Sequence, residues 1–252
     1  MRSQMRSQMK ANNPAAKKLL KEAAKAPVTE LYAMFKQAGA DLGPDSNIYQ
    51  HIKDLPDYLA AAESEIAKHF RAILELMLID TTDPNTRETP ERLAKMYMRE
   101  LFAGRYAPAP TITDFPKATP SALHNFLGIG PIEIQSVCSH HWAPIHGRCW
   151  IGVLPNERLL GLSKYARLVN WICRRPSLQE NMVEAIADHI GSALNTGDVA
   201  VVIDAKHMCM SFRGVEEACA VTATQVMRGG FMEHDSLRHE FLHFISRSTN
   251  TI

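Results

Sequence analysis

Residues 132–154 read IEIQSVCSHHWAPIHGRCWIGVL. Two runs rich in apolar and β-branched residues, Ile132 to Val137 and Cys149 to Leu154, flank a polar segment that holds one cysteine and two adjacent histidines. Each run has the composition of a strand, and Pro155 with Asn156 supplies the turn that ends the second. Downstream, residues 163–173 and 177–194 carry helical spacing on either side of Arg175 and Pro176, with Leu178, Met182, Ile186, Ile190 and Leu194 forming one apolar stripe. Val199 to Phe212 and Ala218 to Met227 read as two further strands joined by a turn at Gly214, and Ser236 caps a last helix through Ile245. Upstream, Leu59, Ala62, Ile66, Phe70, Ile73, Leu74 and Met77 recur mostly in steps of three and four, which predicts a helix between Pro56 and Ile79. Thr89 as N-cap and Pro90 in the first turn open a second amphipathic helix that runs through Leu93, Met96, Tyr97 and Leu101 to Gly104. Residues 107–131 are loop-rich. Helices before, between and after paired strands argue for an α+β fold with an antiparallel sheet.

The chain has 252 residues, of which 46% are hydrophobic, enough for one substantial core and too many for a disordered chain. No window approaches the roughly 18 consecutive apolar residues of a membrane span, and no secretory-type apolar stretch opens the sequence, so the expectation is a soluble cytoplasmic protein without membrane contact. Cys138, Cys149, Cys173, Cys209 and Cys219 are odd in number and scattered, which points to metal binding or plain burial instead of a disulfide framework. Net charge is +1 but uneven: residues 1–25 carry +6 and the remainder −5. A basic tail can meet nucleic acid or a membrane, or act as a transit peptide. Without aromatic interleaving or a Trp- or Phe-bearing apolar face it reads instead as a solvated extension, and no nucleic-acid partner is expected. Residues 15–40 have the composition of a surface helix and LGPDSN (42–47) that of a loop. The organisation expected is therefore a basic, partly helical extension over residues 1–49 and one compact domain over 50–252.

Cys138 and His141 stand three positions apart where the first strand gives way to a turn, a spacing from which thiolate and imidazole can reach one cation. The spacing alone is a weak signal. His207 and Cys209 lie two apart in an expected strand, and period-two alternation aims both at one face. Cys138, His141 and Cys209 would then supply three corners of a tetrahedral zinc site and leave the fourth for water, the pattern of a catalytic centre. His140 and His207 have the intrinsic pKa to pass protons beside it; the competing reading makes them buried core histidines. The H-E-x-x-H string from His239 to His243 is rejected as a protease site, because Leu237, Phe241 and Ile245 mark an ordinary packed helix. The deaminase, P-loop and G-x-G-x-x-G patterns are absent, so a nucleotide would be held by side chains. Ser163, Lys164 and Arg167 in an early helical turn, with Arg213, can grip phosphate, and Gln179 with Glu180 can read the amine and ring N–H edge of a purine. Solvated basic surface and helix-surface polarity are the alternatives for these two sets.

The runs ETPERLAKMY (88–97), CSHH (138–141), GLSKYARLV (161–169), RPSLQE (175–180), DAKHMCMSFRG (204–214) and RHEFL (238–242) occur in an order and spacing that resemble the GTP cyclohydrolase I family over roughly residues 55–246. The resemblance implies a tunnelling fold, with a four-stranded antiparallel sheet and helices on one side. It also implies pentameric rings stacked as a homodecamer, with active sites between subunits. The implied reaction converts GTP and water into formate and 7,8-dihydroneopterin triphosphate, a first step towards pterins and folate. Carried over by position, Cys138, His141 and Cys209 are the expected zinc ligands and His140 and His207 the proton-transfer pair. Gln179 and Glu180 are then the base readers, and Ser163, Lys164, Arg167, Arg213 and Arg92 the triphosphate grip. Two departures stand out. Ser139 occupies the place of the family's usual glutamate, and the family's threonine-rich strand becomes Cys219 to Gln225. They motivate one alternative, the same chemistry on another purine nucleotide or in a deazapurine pathway; a non-catalytic, zinc-stabilised binding protein is a separate alternative, disfavoured because proton-shuttle and phosphate-grip candidates are more than structural zinc requires.

Overall fold

A computed structural model describes residues 22–23, 25–55, 57–116 and 126–249 of the chain, which divides into one unit up to Pro108 and another from Ala109. Of the helix expected over residues 15–40, residues 15–21 and 24 lie outside the described residues; what is described is α1, Leu31–Gln37. Its outer face lies at the surface as expected, with Tyr32, Ala33, Lys36 and Gln37 exposed. Leu31 and Phe35 are buried in a small core with Ile48 and with Ile52 of α2 (Tyr49–Ile52). The loop expected at 42–47 is pinned: Arg105 donates to the carbonyls of Leu42, Pro44 and Ser46, and the Asn47 amide donates to those of Gly104 and Ala107.

The helix expected from Pro56 to Ile79 is α3, Tyr58–Leu76. Arg71 on α3 pairs with Glu91 at 2.9 Å on α4, Thr89–Lys95. Thr89 is the first helical residue and not the cap; Glu88 holds that position without a side-chain bond, and Pro90 fits the first turn, where its missing N–H is no loss. The amphipathic run does not continue as one α-helix to Gly104. It changes to a π-helix over Met96–Leu101 and then to α5, Ala103–Tyr106.

The second unit is built on strands. β1 (Asp114–Pro116) and β4 (Arg158–Leu160) form a two-stranded ribbon clasped by an Arg158–Asp114 ion pair. β2 (Leu127–Cys138), β3 (Pro144–Val153), β5 (Pro176–Ser177), β6 (Val199–His207) and β7 (Thr222–Met227) form a sheet in the order β5-β2-β3-β6-β7. The four long strands are antiparallel, as expected, but the sheet has five members: β5 adds two residues parallel to the end of β2. The strand expected to run to Phe212 ends at His207, where the chain turns into α8, Met208–Ser211.

β6 is buried on both faces, which is why its five residues from Val199 to Ile203 are continuously apolar. On one face Ile134, Cys149, Ile151, Val201 and Ile203 pack against α6 (Leu162–Cys173) and α7 (Gln179–Leu194) through Tyr165, Leu168, Ile172, Met182 and Ile186. On the other, Trp150, Ala200 and Val202 meet Phe231 of α9 (Gly230–Glu233) and Phe241 of α10 (Asp235–Thr249). The expectation of helices on one side is therefore corrected: they cover both faces, because alternate residues of β3 and β6 are apolar in both directions. Among the described residues no helix is long and apolar enough to cross a membrane.

Gly147 on β3 lies opposite Ala205 on β6, and a Cβ there would overlap the Asp204 carbonyl and come within 2.6 Å of the Ala205 Cα. Gly147→Ala should therefore lower stability by about 1–3 kcal/mol in denaturant unfolding. Gly197→Ala, where an added Cβ meets nothing within 4 Å, should stay within about 0.5 kcal/mol of the parent.

Candidate functional site

Antiparallel pairing brings the last residues of β2, the first of β3 and the last of β6 to the same end of the sheet, with Val137 opposite Pro144 and Ile145 opposite His207. Cys138 closes β2. Its N–H donates to the Ala143 carbonyl at 2.9 Å and its own carbonyl accepts from the Trp142 N–H at 3.0 Å, so residues 139–142 form a tight loop. Trp142 takes the left-handed conformation (φ 52°) that this closure demands. The loop folds back on the cysteine: the His141 N–H donates to the Cys138 sulfur at 3.3 Å, and His141 Nδ1 stands 3.9 Å from it.

Cys209 completes the group from the first turn of α8. The ligand atoms of Cys138, His141 and Cys209 lie within 4.8 Å of one another, and among the described residues this is the one such group of three or more. Tetrahedral zinc ligands, with sulfur at about 2.3 Å and nitrogen at about 2.0–2.1 Å from the ion, are about 3.6–3.8 Å apart, so a small closure is enough. Two sulfurs and an imidazole are the donors a borderline-soft dication prefers. The facing thiols repel a second negative charge: burial and then Cys138 push the Cys209 thiol up, while Arg213 pulls it down. A bound cation would remove that conflict by displacing the protons. Cys209 reaches the group by a different route from the one its spacing suggested. It does not share a strand face with His207; the turn of α8 after His207 carries it back.

Around the triad the expected residues divide. His140 is exposed, its ring 6.3 Å from that of His141. His207 is half-buried, and burial lowers its pKa while the Glu180 carboxylate raises it. Arg213 Nη1 lies 3.3 Å from His141 Nε2. Glu180 is exposed in the first turn of α7. Gln179 is different: it is 2% exposed, its amide nitrogen donates to the Ile203 and Thr222 carbonyls and the Thr224 hydroxyl, and its oxygen is 2.7 Å from His207 Nε2. Its amide is thus engaged by the protein on both its nitrogen and its oxygen, unlike the exposed carboxylate of Glu180. Thr222 and Thr224 escaped the sequence reading, since nothing local links them to a glutamine more than 40 residues away.

Ser163, Lys164 and Arg167 lie in the first turns of α6, with Lys164 towards the end of that helix away from Cys173. β3 runs away from the cysteine end, and α6 begins only after β4; it returns towards β5, beside Cys138. Lys164 precedes Cys173 by nine residues, about 14 Å of helix. Arg92 belongs to the first unit and is paired with Glu88 at 2.7 Å. On α10, Phe241 is packed in the second core while His239, Glu240 and His243 are exposed, in keeping with an ordinary packed helix. Cys138→Ala should reduce bound metal, measured by elemental analysis after dialysis, from about one per chain to near zero, whereas His140→Ala should retain it.

The family model described as GTP cyclohydrolase I matches residues 66–246. A GTP cyclohydrolase 1 of Vibrio cholerae is 38% identical over 185 residues, covering 73% of this chain and 84% of that protein. Those of Shewanella amazonensis and Actinobacillus pleuropneumoniae are each 37% identical, covering 72% and 73% of this chain and 83% and 84% of theirs. With a Cys138, His141 and Cys209 group that could hold a metal inside the matched segment, this chain belongs to the GTP cyclohydrolase I family.

Proposed function

We propose that the chain is a zinc-dependent GTP cyclohydrolase I, converting GTP and water into formate and 7,8-dihydroneopterin triphosphate, with residues 50–252 as the catalytic domain and 1–49 as an extension. Family membership supports the activity, and the Cys138, His141 and Cys209 cluster, with His207 at the same end of the sheet, is the observation that carries the chemistry. Bound there, zinc would supply Lewis acidity that makes water nucleophilic near neutral pH.

The side chains do the rest. Glu180 would accept hydrogen bonds from the amine and ring N–H of guanine, which fixes the face on which C8 is presented. His207 would protonate the ring nitrogen beside C8 as the C8–N bond opens, and exposed His140 would exchange protons with solvent through the second hydrolysis that frees formate. Arg213 would hold the triphosphate, together with Ser163, Lys164 and Arg167. The phosphates are remote from C8, so their binding energy would orient the base.

Lys164 opens α6 while the far end of that helix leads to β5 beside Cys138, and on this reading a second copy would supply the phosphate grip, in keeping with a closed homo-oligomer such as the family's decamer of two pentamers. The free cysteines fit a reducing cytoplasm. No membrane or nucleic-acid partner enters this reading. A different purine nucleotide is the second reading, favoured by Ser139 where the family has glutamate; turnover of GTP well above that of dGTP would dismiss it.

Purified protein should release formate from GTP and stop when chelated, with zinc restoring turnover; formate release undiminished in metal-free protein would overturn the assignment. Lys164→Ala and Cys209→Ala chains should each be inactive, and co-assembly should restore up to about a quarter of the sites by random pairing of intact halves. A mixture as inactive as its parts would place the whole site within one chain.

A further inference from the structure

We propose that Gln179 is a positioning residue that locks His207 into a single tautomer, with the ring proton on Nε2, so that Nδ1 is the nitrogen that exchanges protons with the substrate. Four hydrogen bonds carry this. The Gln179 amide faces the backbone carbonyls of Ile203 at 3.0 Å and Thr222 at 2.9 Å, and a carbonyl can only accept. The Thr224 hydroxyl, at 3.0 Å, accepts the same amide. Turning the amide over would set its oxygen against two carbonyl oxygens, so the NH₂ must face the strands and the oxygen must face His207.

An amide oxygen has no proton to give. The 2.7 Å contact between Gln179 Oε1 and His207 Nε2 is therefore an N–H donated by the ring, and the neutral imidazole is left with its lone pair on Nδ1.

The lock is built into the fold. Gln179 is the first residue of α7, and its side chain reaches between β6 and β7, where the strand pairing ends at Ala205 and Thr222. It is 2% exposed, so water does not compete for its amide. Ser211 holds the other side of the same residue, donating its hydroxyl to the His207 carbonyl at 3.1 Å.

The inference rests on the reading of His207 as the proton donor, and its test separates the two. In protein labelled with ¹⁵N-histidine, the His207 signals, identified by their loss in His207→Asn, should show the proton on Nε2, the ring nitrogen coupled to both carbon-bound ring protons. Gln179→Leu should lose the single tautomer and drop kcat by roughly 10²–10⁴-fold, the range of a positioned proton-transfer group, with KM for GTP within about threefold of the parent. A proton on Nδ1 in the parent protein overturns the proposal whether or not the variant folds. So does a Gln179→Leu enzyme with raised KM and unchanged kcat, which would make Gln179 a substrate contact. A parent protein that carries the Nε2 proton yet releases no formate from GTP would sink the functional reading and leave the lock standing.

Discussion

The register of the antiparallel sheet is the constraint on which the site depends. Cys138 ends one strand, His207 ends another two places across the sheet, and β3 between them fixes their relative height through Ser136 opposite Ile145 and Ile145 opposite His207. A slip of one residue would turn every side chain of the slipped strand to the opposite face. The slip is opposed by burial on both faces: Val201 and Ile203 belong to one core, Ala200 and Val202 to the other. The close approach at Gly147 adds a local check, since only a residue without a Cβ fits opposite Ala205. The same apolar packing that stabilises the unit thus sets where two sulfurs and an imidazole meet.

A second consequence concerns how much of a binding site one chain can supply. The Cys138, His141 and Cys209 group and His207 gather where β2 and β6 end, while Ser163, Lys164 and Arg167 lie in the first turns of α6, a helix whose last residue, Cys173, precedes β5. A nucleoside triphosphate has the matching asymmetry, with a neutral base at one end and a chain of charge at the other. On the proposed reading, one chain would face the base and its neighbour the phosphates, which would make assembly a condition of activity.

Much of this was legible in the sequence where the cause is local. Strand, turn and helix periods marked the main elements, and Cys138 with His141 stood out because both lie in one short turn. Cys209 does lie beside Cys138 and His141, but not by the route its spacing suggested: a shared strand face with His207 was expected, whereas Met208 to Ser211 form a helical turn, and local sequence does not separate these two ways of returning to the sheet. The partners of Gln179 were not legible, because Ile203, Thr222 and Thr224 are distant in sequence and only strand register brings them near. The second helical layer was missed likewise. Trp150 and Gly152 alternate with Cys149 and Ile151 and are apolar too, a two-sided pattern that Phe231 and Phe241 complete from far downstream.

The most direct test of the account is X-ray absorption at the zinc edge on the protein as purified. Two sulfur scatterers at about 2.3 Å and two nitrogen or oxygen scatterers at about 2.0–2.1 Å are expected, one of the latter being solvent that exchanges. A shell without sulfur, or one filled by four protein ligands, would contradict it.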